Sequence, residues 1–228
     1  MARVFIGVGH GGTDGGAAAN GVKEKDLNLS IALACRGVLD RHGVTVGMSR
    51  TKDENDPSNE EIKECNAFSP DLAIDIHNNA GGGDGAEAFY HYKGGTGKTL
   101  ALNVLREIVN IGQNSRGAKT KLNENGEDYY GFIRKTEAPA IIVECAFVDN
   151  KTDLAIIDTS AEQKKMGVAI AKGILKTLNI AYVEEKPTEK ESGKLYRVQV
   201  GAYSVKQNAV NMQAKLKAAG YDAIIVEG

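Results

Sequence analysis

Short apolar runs alternate along this chain with segments whose apolar residues recur at helical spacing, and that alternation restricts the architecture more than any other feature. The runs cover residues 3–8, 44–48, 72–77, 86–92 and 140–144. Between the first two, Leu27, Ile31, Ala34 and Val38 predict an amphipathic helix over 25–42, stopped by Gly43. Further helices are predicted over 59–68, ending before Ser69-Pro70, over 98–111 and over 160–178. Strands taking turns with helices predict an α/β fold: a mixed or mostly parallel twisted sheet with helices on both faces. With 42% hydrophobic residues in 228, the chain can bury the core of one medium domain plus a small appendage.

Composition excludes several classes of function. A net charge of −2 argues against a nucleic-acid binder, which needs a basic surplus to neutralise phosphates. No apolar run approaches the length that crosses a bilayer, so no membrane insertion is expected. Residues 1–8 read as a strand that leads directly into a glycine-rich loop, rather than as a signal peptide. The three cysteines, Cys35, Cys65 and Cys145, are odd in number and unclustered, which fits a reducing compartment. Cys145 follows Glu144 directly, so on a strand the two would face opposite ways, and Cys145 reads as a buried hydrophobe.

Three domain segments are expected: a catalytic unit over 1–182, a charged linker over 183–193, and a small βαβ segment over 194–228. The linker contains Glu-Glu-Lys-Pro-Thr-Glu-Lys-Glu-Ser-Gly, with no large apolar residue. In the last segment, residues 195–200 and 223–226 read as strands around a helix bearing Val210, Met212, Leu216 and Ala219. A βαβ fragment of this size buries little surface and leaves strand edges open. Two copies pairing into a homodimer would satisfy those edges.

Chemistry-bearing residues sit where the apolar runs end. His10 follows the first run in Val8-Gly9-His10-Gly11-Gly12, His77 closes Ile74-Asp75-Ile76-His77, and Glu144 closes Ile141-Ile142-Val143-Glu144. In open α/β sheets, ligands collect beyond the carboxyl ends of the strands, so these three can share one crevice with Glu24 at the start of the first helix. Two imidazoles and a carboxylate are the donors of a catalytic zinc site with an open fourth position. Their spacing matches no local HExxH signature. Asp75 shares a strand face with His77, so it is expected to accept the free ring N–H of His77 or His10. Glu144 beside a buried strand needs a partner, which a structural carboxylate would lack.

The surrounding motifs are more specific than the spacing. Gly9-His10-Gly11-Gly12-Thr13-Asp14-Gly15-Gly16-Ala17, then Glu24 with Leu27-Asn28, then Ile76-His77-Asn78-Asn79-Ala80, then Val143-Glu144-Cys145-Ala146-Phe147-Val148-Asp149-Asn150 occur in that order. Over residues 3–180 the chain resembles the zinc N-acetylmuramoyl-L-alanine amidases of the amidase-3 type. Ser49-Arg50-Thr51-Lys52-Asp53 is similar to that family's Thr-Arg-x-x-Asp segment. Asp75 stands where the family usually has serine, and the arginine often found before Asn66 is missing. The resemblance implies that His10, Glu24 and His77 bind Zn²⁺ and that Glu144 is the catalytic carboxylate. It also implies peptidoglycan as substrate, with Asn79 as a substrate contact. Residues 196–204 and 216–223 resemble the first half of a SPOR-type wall-binding domain. Together these features predict a phage or prophage endolysin, made in the cytoplasm and acting on the wall after release.

Rival readings remain at this stage. A zinc carboxypeptidase or deacetylase could use the same donors, and a catalytically silent wall-binding protein would need none of them. His42, before Gly43, reads as a helix cap, and His91, between Tyr90 and Tyr92, as a strand surface residue. Gly97-Lys98-Thr99 resembles the tail of a phosphate-binding loop, but Tyr92 stands where its first glycine belongs. Gly81-Gly82-Gly83 reads as a flexible rim.

Overall fold

A computed structural model describes residues 1–185 and 199–226. Two units are separable, Met1–Val183 and Glu184–Gly228. In the first, six strands form one sheet: β1 (Arg3–Val8), β4 (Thr45–Met48), β5 (Leu72–Asn79), β6 (Ala86–Tyr90), β7 (Ser115–Lys119) and β8 (Ala140–Phe147), in the order β4-β1-β5-β8-β6-β7. Strands β4, β1, β5 and β8 run parallel, β6 is antiparallel to β8, and β7 is parallel to β6. A small hairpin, β2 (Ala18–Ala19) with β3 (Val22–Lys23), leads into the first helix.

Side-chain alternation divides the sheet into two faces. Val4, Ile6, Val8, Ile74, Ile76, Ile141 and Val143 pack beneath α1 (Glu24–Arg41), α3 (Gly95–Asn110) and α6 (Ser160–Thr177). The intervening residues Phe5, Ala73, Phe89, Ala140 and Ile142 pack against α2 (Ser58–Phe68) and α4 (Gly131–Lys135). A short α5 (Lys151–Leu154) follows β8. The second face is the one that matters for chemistry, because Asp75, His77, Glu87 and Glu144 share its parity. Cys145 has the other parity and is wholly buried in the first core.

Helix α6 starts at a capping box, in which Thr159 and Glu162 satisfy each other's backbone N–H groups. It packs against both α1 and α3 through small residues. A Cβ added at Gly167 would lie 2.5 Å from the Ile31 carbonyl oxygen, and one at Gly173 would lie 2.5 Å from the Val104 Cα. Both neighbours are main chain, so the helices themselves would have to separate.

Two parts of the fold depart from the sequence expectation. Strand β7, Ser-Arg-Gly-Ala-Lys, has no apolar alternation, yet it pairs along the edge of the sheet. In the second unit, α7 (Lys206–Ala218) carries the expected helix. Among the described residues, 223–226 and 199–200 are not in a strand; most of the other expected strand lies outside them. A strand requires a hydrogen-bonded neighbour, and none is paired with these segments among the described residues. Residues 195–198, and the linker from 186 onward, lie outside the described residues. The open strand edges that motivated a homodimer are therefore not formed in the described part of this unit.

Replacing Gly173 by alanine gains about 1 kcal/mol of helix propensity. Overlap with the α3 backbone is expected to outweigh that, for a net loss of about 1–3 kcal/mol. A lower midpoint in chemical denaturation, at unchanged slope, is the expected result.

Candidate metal centre

At the carboxyl ends of β1 and β5 the chain brings two imidazoles onto one carboxylate. His10 Nε2 lies 3.2 Å from Glu24 Oε2, and His77 Nδ1 lies 3.0 Å from Glu24 Oε1. One donor atom from each of the three residues falls within 4.8 Å of the others, the arrangement that can hold a metal ion. The remaining ring nitrogens also meet carboxylates: His10 Nδ1 is 2.8 Å from Asp14 Oδ2, and His77 Nε2 is 3.1 Å from Asp75 Oδ2. Each imidazole is thus held at both ends, which fixes its orientation.

Backbone geometry makes this proximity attainable. His10 adopts φ 62°, a left-handed conformation that costs a non-glycine residue about 1–2 kcal/mol and turns the loop back over the helix start. A Cβ at Gly9 would lie 2.2 Å from the His77 ring, so only glycine lets that imidazole lie against the loop. Asn28, one turn beyond Glu24 on α1, donates to Gly9 O and to Glu24 Oε1. Arg50 is 2% exposed and spends its guanidinium on the carbonyls of Val8, Gly9, Lys25 and Lys52. It ties the His10 loop to the start of α1. Lys25 adds bonds to Gly12 O and to Asp53.

The protonation preferences follow from these contacts. Burial opposes ionisation of Glu24, but the His10 and His77 bonds outweigh it and hold the carboxyl well below its usual range. The Glu24 bond raises His10 above its ordinary value. Burial disfavours a charge on His77, yet Asp75 and Glu24 raise its pKa well above normal. A carboxylate held ionised between two imidazoles offers one anionic oxygen and two ring nitrogens, donor types that Zn²⁺ takes.

Glu144 lies across the sheet from His77, paired with it in register. Burial pushes its carboxyl up to about 7, with His77 opposing and Glu24, Asp75 and Glu87 adding to the rise. Its Oε2 is buried with no hydrogen-bond partner among the described residues. A buried carboxylate oxygen without a protein partner is costly, and it is free to accept a bond from a bound group. The donor set and this orphaned oxygen together fit a catalytic metal.

Asn79 follows two residues after His77. Its side-chain amide donates to Glu87 Oε1 and its carbonyl accepts from Ala80 N, so it is engaged with the protein. The glycine rim is pinned: Gly81 N and Gly82 N donate to Asp149, and Gly85 N donates to the buried Asp153. Two carboxylates, Asp149 and Asp153, thus anchor the main chain on either side of Gly83. His42 caps α1 and accepts from Val183 N, while His91 sits just past β6 beside Asp128. Asp14, Asn28 and Glu87 were not singled out from sequence. Asn28 was detectable as the residue one helical turn from Glu24. Glu87 was detectable as a charge inside Ala-Glu-Ala-Phe-Tyr, the argument that had flagged Glu144.

The family N-acetylmuramoyl-L-alanine amidase matches residues 4–176, and the SPOR domain matches residues 170–227. The N-acetylmuramoyl-L-alanine amidase CwlM of Bacillus licheniformis is 33% identical over 230 aligned residues, covering 99% of this chain and 85% of that protein. The endolysin of Bacillus phage SPP1 is 31% identical over 181 residues, covering 78% of this chain and 66% of that protein. The solved structure of Cwp6 from Clostridium difficile superposes with a TM-score of 0.77 at 39% identity, over 78% of this chain and 29% of that one. With the family matched over residues 4–176 and a relative aligned over 99% of this chain, the chain belongs to the N-acetylmuramoyl-L-alanine amidases and is a peptidoglycan amidase.

Proposed function

We propose that the chain hydrolyses the bond between N-acetylmuramic acid and L-alanine with Zn²⁺ held by His10, Glu24 and His77 and with Glu144 as the proton-transfer residue. The convergence of three donor atoms within 4.8 Å, beside a half-buried Glu144 whose buried Oε2 has no hydrogen-bond partner among the described residues, carries this reading. Bound zinc would supply activation of the attacking water near neutral pH and polarisation of the amide carbonyl.

Each protein group then has a defined task. Glu144, whose pKa lies near 7, accepts the proton of the attacking water and returns it to the departing α-amine of L-alanine. A carboxyl with a much lower pKa would take the proton less readily, and one with a much higher pKa would already hold it. Asp75 and Asp14 hold the far nitrogens of His77 and His10, so each ring presents its other nitrogen toward Glu24. Arg50 and Asn28 keep the loop and the helix start at their present separation.

The C-terminal unit, by its SPOR match, is proposed to hold the enzyme on the wall, with the catalytic unit over 1–182 and a linker over 183–193. The likeness to a phage endolysin supports a role in wall lysis. Among the described residues no helix is long and apolar enough to cross a membrane. We keep no homodimer in this proposal.

Two measurements test the assignment. Glu144→Gln should retain one zinc per chain by elemental analysis yet lose roughly 10²–10⁴-fold of its activity on purified walls. His77→Ala should lose both metal and lysis. Full lytic activity in metal-stripped protein, or in Glu144→Gln, would overturn the assignment. Asp75→Asn should keep the fold and weaken zinc affinity by about 10–100-fold, read in a chelator competition.

A further inference from the structure

On the far side of Glu144 from the metal centre lies a second charged group that the hydrolysis mechanism leaves unused. Glu87 on β6 pairs in register with Glu144, as Glu144 does with His77. All three side chains have the same parity, so they form a row across β5, β8 and β6. Two strand spacings separate the ends of that row, ~10 Å. Glu87 is 6% exposed, and both of its oxygens are occupied. Asn79 donates to Oε1, while Arg116 and Lys119 both contact Oε2.

The charges in this group do not cancel. Two cations meet one carboxylate, leaving one positive charge in excess beside the site. Burial opposes ionisation of Glu87, but Lys119 and Arg116 outweigh it and hold the carboxyl below its usual range. Both cations remain open to solvent, with side-chain exposures of 38% for Arg116 and 35% for Lys119. Only Nε of Arg116 is used on Glu87, at 2.8 Å, and its guanidinium lies 5.1 Å above the Phe147 ring. The plane is therefore held from two sides while the terminal nitrogens have no partner among the described residues. A fixed guanidinium fork with open terminal nitrogens is suited to a carboxylate.

We propose that Arg116, assisted by Lys119, is a specificity-determining residue that binds a free carboxylate on the stem peptide. This rests on the metal-centre reading above, which locates the scissile amide between His77 and Glu144. The amine side of that amide is L-alanine, followed by a glutamyl residue linked through its side chain, whose α-carboxyl is free in some walls and amidated in others. Two residues of extended chain span ~7 Å, enough to carry that carboxyl from the scissile carbon to the end of the row. The sugar side of the amide offers only neutral hydroxyl and acetamido groups near the bond, which give a cation little to bind. Glu87 and Asn79 act as positioning residues for the guanidinium.

The test uses the zinc-loaded full chain and two muramyl dipeptides whose glutamyl side-chain carboxyl is capped as an amide in both, one carrying the free α-carboxylate and the other the α-carboxamide. Wild type should favour the carboxylate by roughly tenfold in kcat/KM, the scale of one charge-assisted hydrogen bond. In Arg116→Gln the preference should fall to within about twofold of unity; Lys119 still neutralises Glu87 there, so the fold is spared. Arg116→Lys should restore part of it. The same ratio should appear as a ratio of dissociation constants in Glu144→Gln, where turnover is slow enough for binding to be read. A wild-type ratio near unity, or an unchanged preference in Arg116→Gln, would overturn the proposal. Cleavage of both peptides by Glu144→Gln at the wild-type rate would overturn the underlying catalytic reading instead, whatever the affinity ratio.

Discussion

The Glu24 carboxylate lies between two imidazoles that come from opposite sides, one on a loop after β1 and one at the end of β5. Several unusual features of the first unit serve that contact. The left-handed backbone at His10, the bare Cα of Gly9 beneath the His77 ring, and the buried Arg50 that gathers carbonyls from β1 and α1 are each unfavourable in isolation. Arg50 alone must be desolvated, and four carbonyls compensate it. Such costs persist only where the surrounding packing over-determines the geometry. Here the packing is a parallel sheet with closely packed helices beneath it, which leaves the loops above β1 and β5 little freedom.

A second constraint follows from strand parity. His77, Glu144 and Glu87 come from three strands, yet registers that pair His77 with Glu144 and Glu144 with Glu87 put them on one face in one row. The polar row replaces what would otherwise be core above α2 and α4. Its groups differ sharply in environment. Glu24 is held ionised by imidazoles, Glu144 is raised by burial and neighbouring carboxylates, and Glu87 is neutralised by two cations. Carboxylates pushed apart in this way can take different roles in one small space, as metal donor, proton carrier and anchor for a cation.

Much of this was legible in the sequence, for identifiable reasons. Buried parallel strands read as continuous apolar runs, and a charged or imidazole residue closing such a run stands out. That contrast located His10, His77 and Glu144. Strand β7 was not legible because an edge strand with one neighbour carries no such run, and its Arg116 and Lys119 serve Glu87 rather than a core. The C-terminal segments at 199–200 and 223–226 have the residues of strands but no strand partner among the described residues. Strand propensity describes a fit to a pleated, half-buried surface, and it has no effect where that surface is lacking.

By itself the sequence determined the alternation of strands and helices, the residue types that chemistry requires, and their placement at strand ends. These are local properties, set by hydrophobic period and by the cost of leaving a charge unpaired. Only the tertiary structure decided which nitrogen of each imidazole faces Glu24, that Asp75 holds His77 rather than His10 while Asp14 holds His10, and that Arg116 sits with an open fork on Glu87. Those outcomes depend on strand register and on loop closure between residues tens of positions apart. Distances of a few tenths of an ångström between such residues are fixed by packing, which no local pattern encodes.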